Sequence, residues 1–586
     1  MIYQGYIRVL YIDLFTGKIR IDQREDLVNY LGGVGVASKL LEENMRPELD
    51  PLHPEQPVIF AIGPLTYVYP VMTKTVAMFI SPLTGELGES YAGGRLGTIL
   101  FSAGFDAVVI TGKASRPSFL TIRPDNVVFR DARSVWGGAP ADNVSRILRD
   151  LEFGRGKRSF IRIGEAGENM VSYAMVAVDR YRHFGRLGLG AVLGSKLIKA
   201  IAVIGGRSIP IKNPREYTKT YREIYKKCVS TDMMSKYHDV GTPINIEPLN
   251  DIGALPTENL RRSSYEKASD ISGEAFSKKN LARKMACVGC PVGCIHIGQF
   301  RRQFADHGHE YETVLEAYDY ELIFALGSFL CIGSTDEILE MIEKVEEAGL
   351  DAMSTGVVLG WATEALEKGI ITEEETLVPL KFGDKGPYLR AIVHIARQTN
   401  EFYRLLGKGV RAASQHYGGG EFAMHVAGNE MAGYHTGYGS LVGAAIGARH
   451  SHLCNGGYSI DQENDIDLDP GIILDKLEKE EIERCMLNSL IMCLFARKVY
   501  DRPTVLIALN SLGWNLSNED LSGIAMRNYK TKLRIKKALG FTLDNVRLPK
   551  RFFETKSFNG MIDEKTAHEM LAVYQRRIEN LMADQL

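Results

Sequence analysis

A chain of 586 residues is long enough for several domains and a sizeable core. Its 45% hydrophobic and 24% charged residues exclude a disordered or fibrous protein. Lys+Arg at 70 against Asp+Glu at 72 leaves a net charge of -2, without the basic excess of a dedicated nucleic-acid binder.

The N-terminal stretch, from residue 1 to about 19, alternates apolar and polar residues like a strand and lacks the apolar core and cleavage site of a secretory leader. No run approaches the 18 or so apolar residues of a membrane span, so the expected location is cytoplasmic. Short apolar runs follow at Pro57–Ile62, Val76–Ile80, Ala107–Ile110, Phe160–Ile163 and Ala200–Ile204, separated by Gly and Pro, and residues 1–210 therefore read as a sheet-built domain. Beyond Ile211-Lys212-Asn213-Pro214 the periodicity turns helical, as in Thr335–Gly349, with Ser334 or Thr335 as cap and Gly349 as stop. Glycine-rich stretches near 416–420 and 428–457 place a second boundary, giving mainly helical domains at 211–420 and 421–586.

Two glycine-dense segments, 81–95 and 182–196, let backbone groups approach a large anionic ligand, with Arg182, Arg186 and Lys196 as positive charge. Tight turns in a β domain are the plain alternative. Eight cysteines are too sparse for a disulfide framework. Three of them form Cys287-Val-Gly-Cys290-Pro-Val-Gly-Cys294, one loop aiming three thiolates at a single centre. A [4Fe–4S] cube with a distant fourth thiolate is favoured over a Cys3His zinc site completed by His296.

Together these segments resemble the aldehyde ferredoxin oxidoreductase family, the tungsten-pterin enzymes. The likeness runs nearly end to end. It includes Gly63-Pro64-Leu65-Thr66, the Ser81–Gly85 stretch, Ala103–Ala107, Ile163–Asn169, Gly190–Lys196, the cysteine loop, Glu310-Tyr311-Glu312-Thr313, Ala348–Asp351 and Leu548–Arg551. The resemblance implies an α+β fold: an N-terminal double β-sheet domain, then two mainly helical domains, with a bis-pterin cofactor at their junction. It implies two molybdopterin-type dithiolenes holding tungsten (or molybdenum) without a protein ligand, and Mg2+ bridging their phosphates through carbonyls near Tyr91 and Phe184. Lys74, Tyr91-Ala92-Gly93-Gly94-Arg95, Arg182 and Phe184-Gly185-Arg186 would line the cofactor. The family's pterin motif D-x-x-G-L-D/C maps to Glu346 through Gly349-Leu350-Asp351, with glutamate at its first position. Its second copy maps to Asn488-Ser489-Leu490-Ile491-Met492-Cys493, which keeps only the cysteine. Cys493 is thus the implied fourth cluster ligand, with Cys485 as rival, and Asn488 and Met492 as pterin neighbours.

The implied active-site acid is Glu312, with Glu310 beside it, and Leu315–Leu322 reads as an insertion after it. The implied histidine is His452, with His450 two residues before; Tyr434 would add a hydroxyl. Such a site oxidises an aldehyde to a carboxylate and passes electrons to ferredoxin or a dedicated polyferredoxin-like subunit, in a homo- or hetero-oligomer. Two alternatives stand beside it: reduction of another substrate, such as an aromatic CoA thioester, on the same fold, and a non-catalytic iron–sulfur or zinc scaffold.

Overall fold

The computed structural model describes residues 5–152, 157–232, 234–304, 310–463 and 469–583, so the first four residues of the expected N-terminal strand lie outside it. Six strands make the first sheet: β1 Ile7–Asp13, β2 Ile19–Arg24, β3 Val58–Ala61, β4 Thr75–Ile80, β5 Leu87–Ala92 and β6 Ala107–Thr111. Their order is β2-β1-β6-β3-β4-β5. The continuous apolar runs fall at the middle: β3 and β4 are buried on both faces, whereas β2 at the edge alternates toward solvent.

The second sheet uses β7 Ser118–Ile122, β8 Val127–Asp131, β9 Lys157–Ile163, β10 Val176–Val178, β11 Arg182–Phe184 and β12 Ile198–Gly205, in the order β11-β10-β9-β12-β7-β8. Phe60 and Phe79 of the first sheet share one apolar core with Ile161 and Phe184 of the second. That packing sets β5 against β11, so the two glycine-dense segments meet at one end of the pair of sheets.

After Gly205 the chain is mainly helical, as the periodicity predicts, apart from a short pairing of His425–Val426 with Asn429–Glu430 and one larger sheet. Leu281–Met285 (β13), Ile295–Gln303 (β14) and Tyr311–Tyr318 (β15) form an antiparallel sheet, in register from His296↔Tyr318 to Gln303↔Tyr311. The predicted helix is present as Thr335–Ala348, and Gly349 ends it at φ 76°, the left-handed conformation glycine adopts freely. Near the C-terminus the helix Asn518–Ala538 packs across the helices Gly33–Asn44 and Pro470–Ser489, and brings its Lys532 and Lys536 to carboxylates at the first sheet. No single helix among the described residues is long and apolar enough to cross a membrane.

Candidate active site

The cysteine loop is clamped onto the end of β5. The Gly94 N–H donates to Cys287 Sγ at 3.1 Å, and the Val288 N–H donates to the Gly94 carbonyl at 3.1 Å. A second tie reaches the far cysteine: the Val71 N–H donates to the Gly289 carbonyl at 3.3 Å, and the Cys493 N–H donates to the Val71 carbonyl at 3.2 Å. Cys290, Cys294 and Cys493 then lie against one apolar cluster with Val292 and Met492. Burial pushes the Cys290 and Cys294 thiols up to about 12, and the nearby Cys493 adds to it in both. The rival Cys485 is elsewhere, fully buried beside Lys532 and Glu481.

Zinc with His296 does not fit. Both ring nitrogens of that buried side chain face backbone carbonyls, Nδ1 at 3.2 Å from Cys294 and Nε2 at 3.1 Å from His238. Among the described residues no three His, Cys, Asp or Glu side chains close on a single-ion site. Four thiols gathered without closing on one point suit a cluster of several metal atoms.

The glycine-dense loops wrap the same region. A Cβ on Gly93 would stand 2.9 Å from Cys287 Sγ, 3.4 Å from Arg182 and 3.6 Å from Lys74 Nζ, so backbone, two cations and a loop cysteine share one spot. Arg95 is on the outside, with Nε 3.4 Å from Asp179. Ala92 and Phe184 are buried, and nothing lies within 4 Å of a Cβ built on Gly185. Arg186 turns inward, bonding Asp351 at 3.2 Å and the Glu430 carbonyl at 2.8 Å. Lys196 does not join them: it is fully buried, and its amine is taken up by the Pro54 and Gly112 carbonyls at 2.7 and 3.2 Å.

In the first pterin motif Glu346 pairs with His183 at 2.7 Å, Asp351 caps the helix Ala352–Glu367 through the Met353 and Ser354 N–H groups, and Leu350 is buried. The degenerate second copy keeps the backbone of the first. Ile491, which stands where Gly349 stands, has φ 62° against 76°, so the αL turn survives the loss of its glycine at a strain of about 1–2 kcal/mol. Asn488 and Met492 beside it are buried.

The acid–base pair is where the structure departs from expectation. His452 Nε2 stands 3.1 Å from Glu321 Oε1, and Glu321 Oε2 accepts the Gly433 N–H at 3.1 Å. Desolvation pushes Glu321 up to about 8 and drives His452 well below the usual histidine range. Tyr434 packs on His452 at 5.3 Å between ring centres and is stacked on Tyr458 at 4.1 Å. His452, Tyr434 and Arg186 line an internal cavity of about 30 Å³, room for a water or two. His452 Nδ1, Asn429 Oδ1 and Tyr173 OH nearby are buried without a hydrogen-bond partner. Such orphaned polar atoms beside Arg186 fit a polar, anionic cofactor.

Glu312 and Glu310 are not part of this pair. Glu312 sits opposite Arg302 in the β14–β15 register, ion-paired with it, and its side chain keeps 38% of its exposure. Glu310 is exposed just before β15. The strand continues for six residues past Glu312, and only then does Asp319 cap the helix Tyr320–Leu326 and carry Glu321 inside. The residues read as an insertion thus hold the buried acid. The signal was present: an Asp ahead of Tyr-Glu and an apolar run is an N-cap with an acid in the first turn. His450 is also turned away from Glu321, with Nε2 3.0 Å from both Glu86 and Lys536.

Comparison with known proteins follows this geometry. Residues 9–205 match the sequence model of the aldehyde ferredoxin oxidoreductase N-terminal domain, and residues 219–578 match that of its domains 2 and 3. Tungsten-containing aldehyde ferredoxin oxidoreductases of Thermococcus kodakarensis and Pyrococcus furiosus are each 33% identical over 580 residues, spanning 94% of this chain and 92% of theirs. The WOR-like subunit of an aliphatic sulfonate oxidoreductase from Pyrococcus furiosus is 29% identical over 425 residues, 70% of this chain and 66% of that one. The solved active-site complex BamBC of benzoyl coenzyme A reductase, with 1,5-dienoyl-CoA, has the same fold at TM-score 0.79 and 20% identity, covering 97% of this chain and 94% of that one.

Proposed function

Because the chain belongs to the aldehyde ferredoxin oxidoreductase family, an oxidoreductase family whose tungsten-containing members imply a tungsten-pterin group here, we propose that it oxidises aldehydes to carboxylic acids. The observation that carries this reading is the Glu321–His452 pair at 3.1 Å, desolvated and set beside the cofactor loops. Lys74, Arg182, Arg186 and the glycine backbones at 93–94 would hold the pterin phosphates, with Mg2+ near Tyr91 and Phe184. Cys287, Cys290, Cys294 and Cys493 would hold a [4Fe–4S] cluster. Once bound, these groups supply two-electron redox chemistry and a one-electron exit to a ferredoxin-type acceptor.

The residues themselves handle protons. With Glu321 protonated and the ring neutral, the carboxyl stands 3.1 Å from His452 Nε2, and a proton on the unpartnered Nδ1 makes it a donor that polarises an aldehyde oxygen. When the pair loses that proton, with an apparent pKa near 8, the remaining ring proton sits on Nε2 toward the carboxylate. Nδ1 then becomes a base for the attacking water. Arg186 and Tyr434 wall the cavity and limit water to the reacting molecule.

The test is substrate-dependent reduction of a viologen dye by tungsten-loaded protein, offered aldehydes and aryl-CoA compounds in parallel. Reduction with aldehydes and an analytical content near one tungsten per chain are the outcomes required. Reduction with the CoA compounds alone overturns the assignment.

A further inference from the structure

We infer that Glu430 is a neutral carboxylic acid in the wall of the catalytic cavity, and that through Ser354 it fixes Asp351 and Arg186 in place to grip an anion there. The identity of that anion rests on the tungsten-pterin reading above; the protonation of Glu430 does not.

Three parts of the chain bring these groups together. Glu430 belongs to the short pairing of His425–Val426 with Asn429–Glu430, Ser354 to the first turn of the helix Ala352–Glu367, and Arg186 to the loop that follows β11. Asp351, Ser354 and Glu430 are buried, and Glu430 and Arg186 both line the internal cavity. Ser354 Oγ stands 2.6 Å from Asp351 Oδ2 and 2.7 Å from Glu430 Oε2. A serine has one hydroxyl proton, so it donates to only one of these oxygens. With both acids ionised, the other contact would press two lone pairs together in a buried site. It becomes a hydrogen bond once one of the acids carries a proton and donates it to Ser354.

Asp351 is not that acid. Its Oδ1 accepts the Met353 N–H at 3.1 Å, and its Oδ2 accepts the Ser354 N–H and the Arg186 Nε–H, both at 3.2 Å. Two backbone donors and a cation favour the carboxylate. Glu430 has less support: Oε1 accepts the Val410 N–H at 3.1 Å, and Oε2 meets Ser354. Burial raises it above the ordinary carboxylate range, against the pull of Arg186. The remaining titratable group that faces it is Tyr173, itself buried and raised. The donors therefore run from Glu430 to Ser354 to Asp351.

This arrangement sets Arg186. Asp351 takes its Nε–H and the Glu430 carbonyl takes an Nη2–H at 2.8 Å, so two of its five N–H groups are engaged and three remain for the cavity it lines. One arginine then stands against one carboxylate. Ionising Glu430 would add a second buried negative charge beside it and repel the anionic cofactor group.

Glutamine copies the neutral acid, since its oxygen accepts from Val410 and its NH2 donates to Ser354. Tungsten-loaded wild type and Glu430→Gln are compared by infrared difference spectroscopy, by melting temperature across pH, and by tungsten retained after dialysis. The carbonyl band of a protonated carboxyl should be present in the wild type and missing in Glu430→Gln. A raised carboxyl gives stability that is complete below its ordinary 4.5 and lost as pH climbs through the folded value, so the two proteins should melt together in acid and Glu430→Gln should pull ahead as pH rises. Ser354→Ala cuts the link to Asp351 and should lose tungsten on the order of tenfold faster, with Arg186→Gln at least as fast, whereas Glu430→Gln should hold it. A difference spectrum without the band, or a Glu430→Gln form that does not fold or melts lower by the same amount at every pH, overturns the neutral acid. Tungsten retention in Ser354→Ala and Arg186→Gln equal to the wild type's overturns the grip on the anion. A wild type that takes up no tungsten but shows the band overturns the cofactor reading and leaves the neutral acid standing.

Discussion

Glu321→Gln is the sharpest perturbation of the site. The amide keeps the size of the side chain, its oxygen still accepts the Gly433 N–H at 3.1 Å, and only the titrating group facing His452 Nε2 is lost. General acid–base groups are worth about 10²–10⁴-fold in rate, which at about 1.36 kcal/mol per decade is about 2.7–5.4 kcal/mol of transition-state free energy. The pH profile is the more specific signature. Glu321 is pushed up to about 8, so the pair releases its proton through that pH, and base-assisted turnover should rise from pH 6 to 9 with an inflection near 8. In Glu321→Gln the inflection should vanish while tungsten and iron contents hold. The assay is dye-coupled kcat and kcat/KM over that range. A fully loaded Glu321→Gln enzyme with wild-type turnover, or with the same inflection, refutes the pair as the proton-handling group.

Glu312→Gln should leave turnover within about twofold of wild type and stability within about 1 kcal/mol, because its half-exposed ion pair with Arg302 is of the weak surface kind; dye reduction and thermal melting check it. Cys493→Ser should lower the iron content measured per chain and the visible charge-transfer absorbance, whereas Cys485→Ser should leave both unchanged. Lys532→Met removes the closer of two cations at the buried Glu89 carboxylate, 2.5 Å away, leaving Arg449 at 3.8 Å, and should cost up to about 3 kcal/mol in denaturant unfolding. Glu86 sits well below its ordinary 4.5, at about 2. Its stabilisation, on the order of 3 kcal/mol, is therefore complete above about pH 4.5 and lost as pH falls toward 2; urea midpoints in Glu86→Gln should show less loss over that window.

Where local chemistry decides the structure, the sequence was readable. Continuous apolar runs located β3, β4, β6, β9 and β12, and Ser334 and Gly349 bracketed a helix that forms as Thr335–Ala348. The x2/x3 spacing of Cys287, Cys290 and Cys294 pointed to one thiolate loop, and the far Cys493 is tied to it through Val71. The acid that the structure buries is not the one that the sequence singled out, for a physical reason. Glu312 and Glu321 have the same side chain, and what separates them is the length of β15: the strand keeps Glu312 opposite Arg302 at the hairpin's outer end. Burial of Glu321 then depends on Gly433 and His452, more than a hundred residues away, and no local pattern carries that contact. The same holds for Lys196, whose position beside a glycine-rich loop suggested a phosphate partner while its amine caps the carbonyls of the distant Pro54 and Gly112.

The helix Asn518–Ala538 also bears on the order in which such a protein becomes functional. Glu86 and Glu89 precede their counter-charges by a long stretch of chain: Lys536 and Lys532 follow some 440 to 450 residues later, and Arg449, the second cation at Glu89, some 360 residues later. Burying either carboxylate before its cations are in place would leave an uncompensated charge in the interior, which favours keeping both in water until then. Docking of the helix Asn518–Ala538 is thereby coupled to the burial of both carboxylates.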